Sequence, residues 1–358
     1  MKNLLLMALC AALSGCSSMP YPKSPQWRDG RFANPPEWPK FPGPRELLRW
    51  LASRPQAFPP FTPKVHENDG KLLRQDREHL SITWIGHATL LVQGAGISLL
   101  TDPIFGRRVG LYSRFSPPGV AMKDLPPIDI VVISHNHLDH LDESSVKQLG
   151  ASVQYVVPLG LGDWFRKRGL RRVIELDWWE TTEVVVPAGG KATITLVPAQ
   201  HWSRRGLFDE RQSLWGGYVM DLDRPATGSG PASGNQLVNI GGHCGRVYFA
   251  GDTGYPAAFR EIGRRFPGID YALMPIGAYA PRWFMQPQHM APDETARAFL
   301  ELGARALVPM HFATFQLADE PMDEPPQLLR QAMGQDGQRI IQLAIGETRW
   351  DSQPLPQH

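Results

Sequence analysis

The chain has 358 residues, 42% hydrophobic and 20% charged, and is rich in glycine and proline with 34 of each. This composition excludes disorder as the default and leaves enough apolar material for a large core. A net charge of only +2 offers no broad basic field able to release counterions from phosphates, so nucleic acid is not expected as a partner.

At the start, Lys2 followed by the apolar run Leu4 to Leu13 reads as a secretory signal over residues 1–15, too short to span a bilayer. The run ends in Leu13, Ser14, Gly15 and Cys16, similar to the lipobox at which bacterial lipoproteins are cleaved. That likeness implies acylation of Cys16 and a lipid-anchored place in the bacterial cell envelope, with Ser17 favouring the outer membrane, facing the periplasm. Several acyl chains on one cysteine hold a protein stably where a single chain gives marginal binding. Cys10 falls in the signal and Cys16 is the acylation site, so Cys244 is left without a disulfide partner.

Residues 16–78 read as a tether and packing arm, marked by Pro35, Pro36, Pro39, Pro42 and Pro44, with a helix expected over Glu46 to Ser53. One globular domain is expected over 79–358. Short β-type runs open it at Ser81 to Ile85, Thr89 to Val92, Ile97 to Thr101 and Ile128 to Ser134. A mixed stretch follows: strands at Gln154 to Val157, Val173 to Leu176, Val184 to Val186 and Thr193 to Val197, and a helix around Gly160 to Arg168. The last strands fall at Leu214 to Asp221, Val247 to Ala250, Tyr271 to Pro275 and Ala306 to Pro309, with helices at Ala257 to Arg265, Asp293 to Leu302 and Gln327 to Met333. Arg224 to Asn235, full of Pro, Gly, Ser and Ala, reads as a surface loop. Strands in two blocks with helices interspersed predict two sheets covered by outer helices.

The most informative segment follows the apolar run Ile130 to Ile133: Ser134, His135, Asn136, His137, Leu138, Asp139, His140. Imidazole and carboxylate suit zinc and similar metals, and a two-residue spacing aims His135 and His137 to one side. Asp139 and His140 can reach a second ion. One segment cannot close two coordination shells, so further ligands are expected at other strand ends. His201, Asp252 and His311 each follow an apolar strand. Taken singly, each also reads as a satisfied polar residue or, for Asp252, a turn aspartate. Together they complete two sites, with one carboxylate able to bridge them.

Several segments together resemble the metallo-β-lactamase superfamily, and within it the N-acyl-phosphatidylethanolamine-hydrolysing phospholipases D. They begin at Thr83 (TWIGHAT), Leu100 (LTDPIF), Ser134 (SHNHLDHLD), His201 (HWSRR), Phe249 (FAGDTGY), Ile276 (IGAYAPRWFM) and Met310 (MHFATF). The resemblance implies a four-layer αββα sandwich, α/β in class, and two zinc ions. It assigns His135, His137 and His201 to one zinc, Asp139, His140 and His311 to the other, and Asp252 to both, with Asp139 and Asp252 as the carboxylates at the chemistry. His289 matches a substrate-contacting position. Leu138 stands where the mammalian enzyme has a substrate-contacting tyrosine, a departure that bears on head-group recognition. His87 is expected to support the ligands from behind.

The implied activity is phosphodiester hydrolysis of phospholipase D type, on N-acyl-phosphatidylethanolamine-like lipids, through a hydroxide shared by the two ions. A lactonase, a soluble phosphodiesterase of the same fold and a non-catalytic zinc-binding envelope lipoprotein are the alternatives. Arg204 and Arg205 suit phosphate or simple solvation. Trp283, Phe284 and Met285 suit acyl chains, the membrane interface, core packing or a homodimer contact.

Overall fold

The computed structural model describes residues 21–354 apart from 22, 56 and 225–241. The signal segment, Cys16 and the expected loop from Arg224 to Asn235, save Arg224 itself, lie outside the described residues.

Two mixed sheets stack face to face. The first has seven strands in the order Val173–Leu176, Gln154–Pro158, Ile130–Val132, Ile97–Thr101, Thr89–Gly94, Ser81–Gly86 and Thr348–Trp350. The second has six, in the order Thr181–Val185, Lys191–Val197, Gly217–Asp223, His243–Phe249, Tyr271–Pro275 and Ala306–Met310. In the first sheet alternate residues turn to opposite faces, as the pleat requires. Leu90, Val92, Leu99, Ile130, Val132 and Val156 join Ile194, Leu196, Tyr218 and Met220 of the second sheet in the inter-sheet core. Their chain neighbours Leu91, Leu100, Val131, Tyr155 and Val157 pack the outer face against Val146 and Phe165 of the helices Glu143–Leu149 and Gly162–Arg166. Both faces of these strands are buried, so they read as continuous apolar runs rather than alternating ones.

The second sheet is covered by Ala258–Arg265, Pro292–Leu302 and Glu324–Met333, which bury Phe259, Ile262, Phe299 and Leu329. The result is the four-layer αββα sandwich of the metallo-β-lactamase fold. Strand and helix positions agree with expectation to within a few residues. Several short elements had no counterpart in the sequence reading, among them the helix Glu143–Leu149, started by Asp142 accepting from the Ser144 and Ser145 amides, the hairpin of Arg108–Val109 with Tyr112–Ser113, and the edge strand Thr348–Trp350.

The arm is packed rather than free over its described length. Phe32 is fully buried and sits between Tyr21 and Trp27, a burial that contributes about 1.5–3 kcal/mol. The helix Pro44–Ser53 starts with Pro44 at its first position, and Glu46 accepts from the Gly43 amide at 3.0 Å. It docks through Trp50, whose ring stacks on Phe284 at 4.8 Å and whose Nε1 donates to Asp319. Phe284 and Met285 are buried with Trp50, Ala278 and Ala318, while Trp283 stays exposed under the Arg49 guanidinium.

Candidate metal centre

The strands Ile97–Thr101, Ile130–Val132 and Gln154–Pro158 run parallel, as do His243–Phe249, Tyr271–Pro275 and Ala306–Met310. The carboxyl ends of parallel strands are where an open α/β sheet leaves a crevice. Here the chain delivers its chemistry: Asp102 and the run His135 to His140 from the first sheet, Asp252 and His311 from the second. His201 arrives from the carboxyl end of Lys191–Val197 and His87 from the turn after Ser81–Gly86.

Every ligand candidate named from the sequence comes into this crevice, in two overlapping groups. In one, His135 Nε2 lies 2.8 Å from His137 Nδ1, and His201 Nε2 lies 3.2 Å from the same atom. In the other, His140 Nε2 and His311 Nε2 approach to 3.2 Å beside Asp139 Oδ2, at 3.4 and 3.5 Å. Asp252 stands between the groups, with Oδ2 at 3.0 Å from His140 and 3.9 Å from His201, and Oδ1 at 3.0 Å from His311. That Oδ1 is buried and makes no hydrogen bond of acceptable geometry despite the short approach.

Charge states differ between the two groups. Burial holds His135 and His201 well below the usual imidazole range, and brings His137 down to about 4. These three rings therefore present neutral lone pairs at neutral pH. Burial acts the same way on His140 and His311, but the Asp252 and Asp139 carboxylates outweigh it, raising His140 well above its ordinary value and His311 to about 9. Three imidazoles converge in one group, Asp139, His140 and His311 with His87 in the other, and Asp252 gathers with His289 and His311, a donor set of the type that holds borderline divalent metals.

A layer behind these atoms fixes their orientation. Asp102 Oδ2 accepts from His140 Nδ1 at 2.6 Å and from Ser134 Oγ at 2.5 Å, and Ser134 Oγ lies 2.9 Å from His135 Nδ1. His201 Nδ1 donates to the Gln288 carbonyl at 3.0 Å. Such partners set the tautomer and aim of a metal-binding imidazole. Asp102, Ser134 and Gln288 were not assigned roles from the sequence. Asp102 follows the apolar strand Ile97–Thr101, the same strand-end setting that singled out Asp252. His87 was expected behind the ligands. It lies closer in, with Nε2 3.0 Å from Asp139 Oδ2 and its ring 4.0 Å from that of His311, and burial lowers its pKa to about 3.

The centre forms the floor of a cleft of about 1420 Å³. His137, Leu138, Asp139, Asp252 and His289 face it, and Leu138 is 45% exposed there. One wall is the arm from Ala33 to Pro44, held by Asn34, which donates to the His201 carbonyl at 3.0 Å and accepts from Trp215 Nε1 at 3.2 Å. Of the two arginines after His201, Arg204 is exposed, whereas Arg205 is half-buried and donates to the Leu141 carbonyl at 2.5 Å, a structural tie.

Comparison with known proteins agrees with this architecture. Residues 98–312 match the family model described as the beta-lactamase superfamily domain. The N-acyl-phosphatidylethanolamine-hydrolyzing phospholipase D 1 of Caenorhabditis elegans is 31% identical over 375 residues, spanning 94% of this chain and 99% of that protein. The mitochondrial N-acyl-phosphatidylethanolamine-hydrolyzing phospholipase D of Saccharomyces cerevisiae is 32% identical over 256 residues, spanning 69% of this chain and 50% of that protein. Among solved structures, the metallo hydrolase Igni18 of Ignicoccus hospitalis superposes with a TM-score of 0.56 at 21% identity, covering 77% of this chain and 99% of its own. The chain belongs to the metallo-β-lactamase superfamily and is a metal-dependent hydrolase with relatives among the N-acyl-phosphatidylethanolamine-hydrolysing phospholipases D.

Proposed function

We propose that the protein is a two-zinc phosphodiesterase of phospholipase D type, acting on N-acyl-phosphatidylethanolamine-like lipids from a lipid-anchored position in the cell envelope. The observation that carries this reading is the carboxylate of Asp252 between two ligand groups, at the floor of a cleft with apolar walls, in a chain similar along nearly its whole length to a phospholipase D. His135, His137 and His201 would hold one zinc, Asp139, His140 and His311 the other, and Asp252 both.

When bound, the ions lower the pKa of water to near neutrality and neutralise charge developing on a phosphoryl oxygen. The rest is done by this chain's own side chains. Asp102 and Gln288 hold the His140 and His201 rings in the tautomers that leave Nε2 free. His289, whose ring stacks over that of His311 at 5.6 Å, faces the cleft where a phosphate oxygen would lie. Trp38, Phe41 and Pro42 of the arm offer apolar surface for an acyl chain and keep water from it.

The test is turnover of N-acyl-phosphatidylethanolamine by metal-replete protein, with the products identified. N-acylethanolamine and phosphatidic acid are expected, with activity lost in His135→Ala. An intact lipid with both proteins, alongside stoichiometric metal, would falsify the reading.

A further inference from the structure

Among the described residues, the large apolar side chains left most open to water are Leu111 and Phe208, each 91% exposed, followed by Leu207 at 78%. They come from separate parts of the chain. Leu111 forms the tip of the hairpin between Arg108–Val109 and Tyr112–Ser113, and Leu207 and Phe208 lie in the loop after His201. Both elements border the same cleft, which Val109, Gly110, Tyr112 and Leu207 help to line. Leu47, on the helix Pro44–Ser53, borders it from a third side, and Leu48 and Leu51 of that helix are 67% and 52% exposed. Exposed leucines scattered singly need no explanation, whereas several gathered round one opening mark an interaction surface.

Cations accompany them on every element. Arg107 and Arg108 stand on the hairpin, Arg204 on the loop, Lys40 just before the helix and Arg45 in its first turn, all exposed and none in an ion pair among the described residues. The acids on these elements are mostly engaged: Glu46 turns back to the Gly43 amide, Asp209 accepts from Arg205 and Gly206, and Glu210 pairs with Arg211. Exposed apolar tips and unpaired cations on the same elements suit a partner that offers hydrocarbon and anionic phosphate together, as a lipid bilayer does.

We propose that the rim of the cleft is a bilayer-docking surface, with Leu111, Leu207 and Phe208 entering the acyl boundary and Arg107, Arg108 and Arg204 meeting lipid phosphates. The choice of lipid as occupant rests partly on the phospholipase reading, but the docking geometry does not require turnover. Insertion of such side chains reaches roughly 5–10 Å into the headgroup and acyl boundary. The metal centre would then open directly onto the membrane, so that a lipid is drawn up into the cleft without crossing water.

The experiment uses the full chain with Cys10, Cys16 and Cys244 changed to serine and one new cysteine in each variant, Leu111→Cys, Phe208→Cys or Val185→Cys, carrying an environment-sensitive fluorophore. Val185 is the control: it is 67% exposed and pairs with Lys191, at the opposite end of the strand that leads to His201. Vesicles contain phosphatidylcholine and phosphatidylglycerol, with and without brominated acyl chains. Labels at 111 and 208 are expected to shift to the blue and to be quenched by bromine, while the label at 185 keeps its aqueous spectrum. Whatever brings the chain to the vesicle, this reads which face meets lipid. Three results overturn the proposal: aqueous spectra at 111 and 208, equal quenching at 185, or a blue shift at 111 and 208 on concentrating the protein without lipid, which assigns the rim to a second copy. Metal content and turnover of a soluble phosphodiester are recorded on the same samples, so an inactive protein that still docks separates this proposal from the phospholipase reading.

Discussion

The Asp102 carboxylate accepts from His140 Nδ1 at 2.6 Å and, through the Ser134 hydroxyl, also reaches His135 Nδ1. One buried side chain thus orients a ring in each ligand group. Asp102→Asn keeps the shape and removes the charge. Metal affinity is expected to fall roughly 10–100-fold, measured by competition with a chromogenic chelator, with both ions weakened. A loss confined to one ion would show that the Ser134 relay does not matter.

Gly277 lies under the His311 backbone. A Cβ built on it would meet the His311 carbonyl oxygen at 2.2 Å, a rigid neighbour that cannot step aside. His311 itself is held at φ 61°, in the left-handed region, so its ring position depends on this packing. Gly277→Ala is expected to cost about 1–3 kcal/mol of stability and to lower turnover well beyond that, read by thermal melts and by kcat at saturating metal.

The two ligand groups are built from both sheets, so bound metal should stabilise the folded state. At free metal about a hundredfold above Kd, linkage contributes about 2.7 kcal/mol. Stripping the protein with a chelator is expected to lower Tm by several degrees, and re-addition of zinc to restore it. In His135→Ala the chelator-induced shift should shrink, because one group is already incomplete. An unchanged shift would show that the ion sits elsewhere.

Trp38 packs against Trp178 with ring centroids 5.8 Å apart and lines the cleft from the arm. If the arm wall receives an acyl chain, Trp38→Ala raises KM for a long-chain lipid substrate several-fold and leaves kcat/KM for a small soluble phosphodiester nearly unchanged. Equal losses on both substrates would point to a general loosening of the arm.

Much of this was legible in the sequence, for identifiable reasons. Ile130 to Ile133 and the other apolar runs are strands buried on two faces, which makes them conspicuous. The ligands sit at strand ends, where the fold needs polar groups to turn towards a shared crevice, so His201, Asp252 and His311 stood out by context as well as by type. The helix Glu143–Leu149 escaped notice because it is short and buries only Ser145 and Val146, too little for a helical period. The edge strand Thr348–Trp350 is only half-buried along its length and pairs with Ser81–Thr83 across almost the entire chain, a contact that no local pattern encodes. The arm's place beside the metal centre is set by long-range contacts such as Asn34 reaching the His201 carbonyl and the Trp215 ring, and Trp38 packing on Trp178. Proline-rich composition signals extended chain but not where it docks.

The division of donors between the two sheets gives the centre a mechanical meaning. His135, His137, Asp139 and His140 belong to one slab, and His201, Asp252 and His311 to the other, so each ion would act as a rivet through the seam. Without it, that edge is left to the contacts of Asp252 with His140 and of Asp139 with His311, and the neutral rings of His135, His137 and His201 meet with no cation between them, while the hydrophobic filling between the slabs stays intact. Loss of metal should therefore hinge that edge open rather than melt the sandwich. Amide exchange would quicken first around residues 134–140, 251–253 and 311–314, and Trp84 and Tyr218, deep in the filling, would still be shielded.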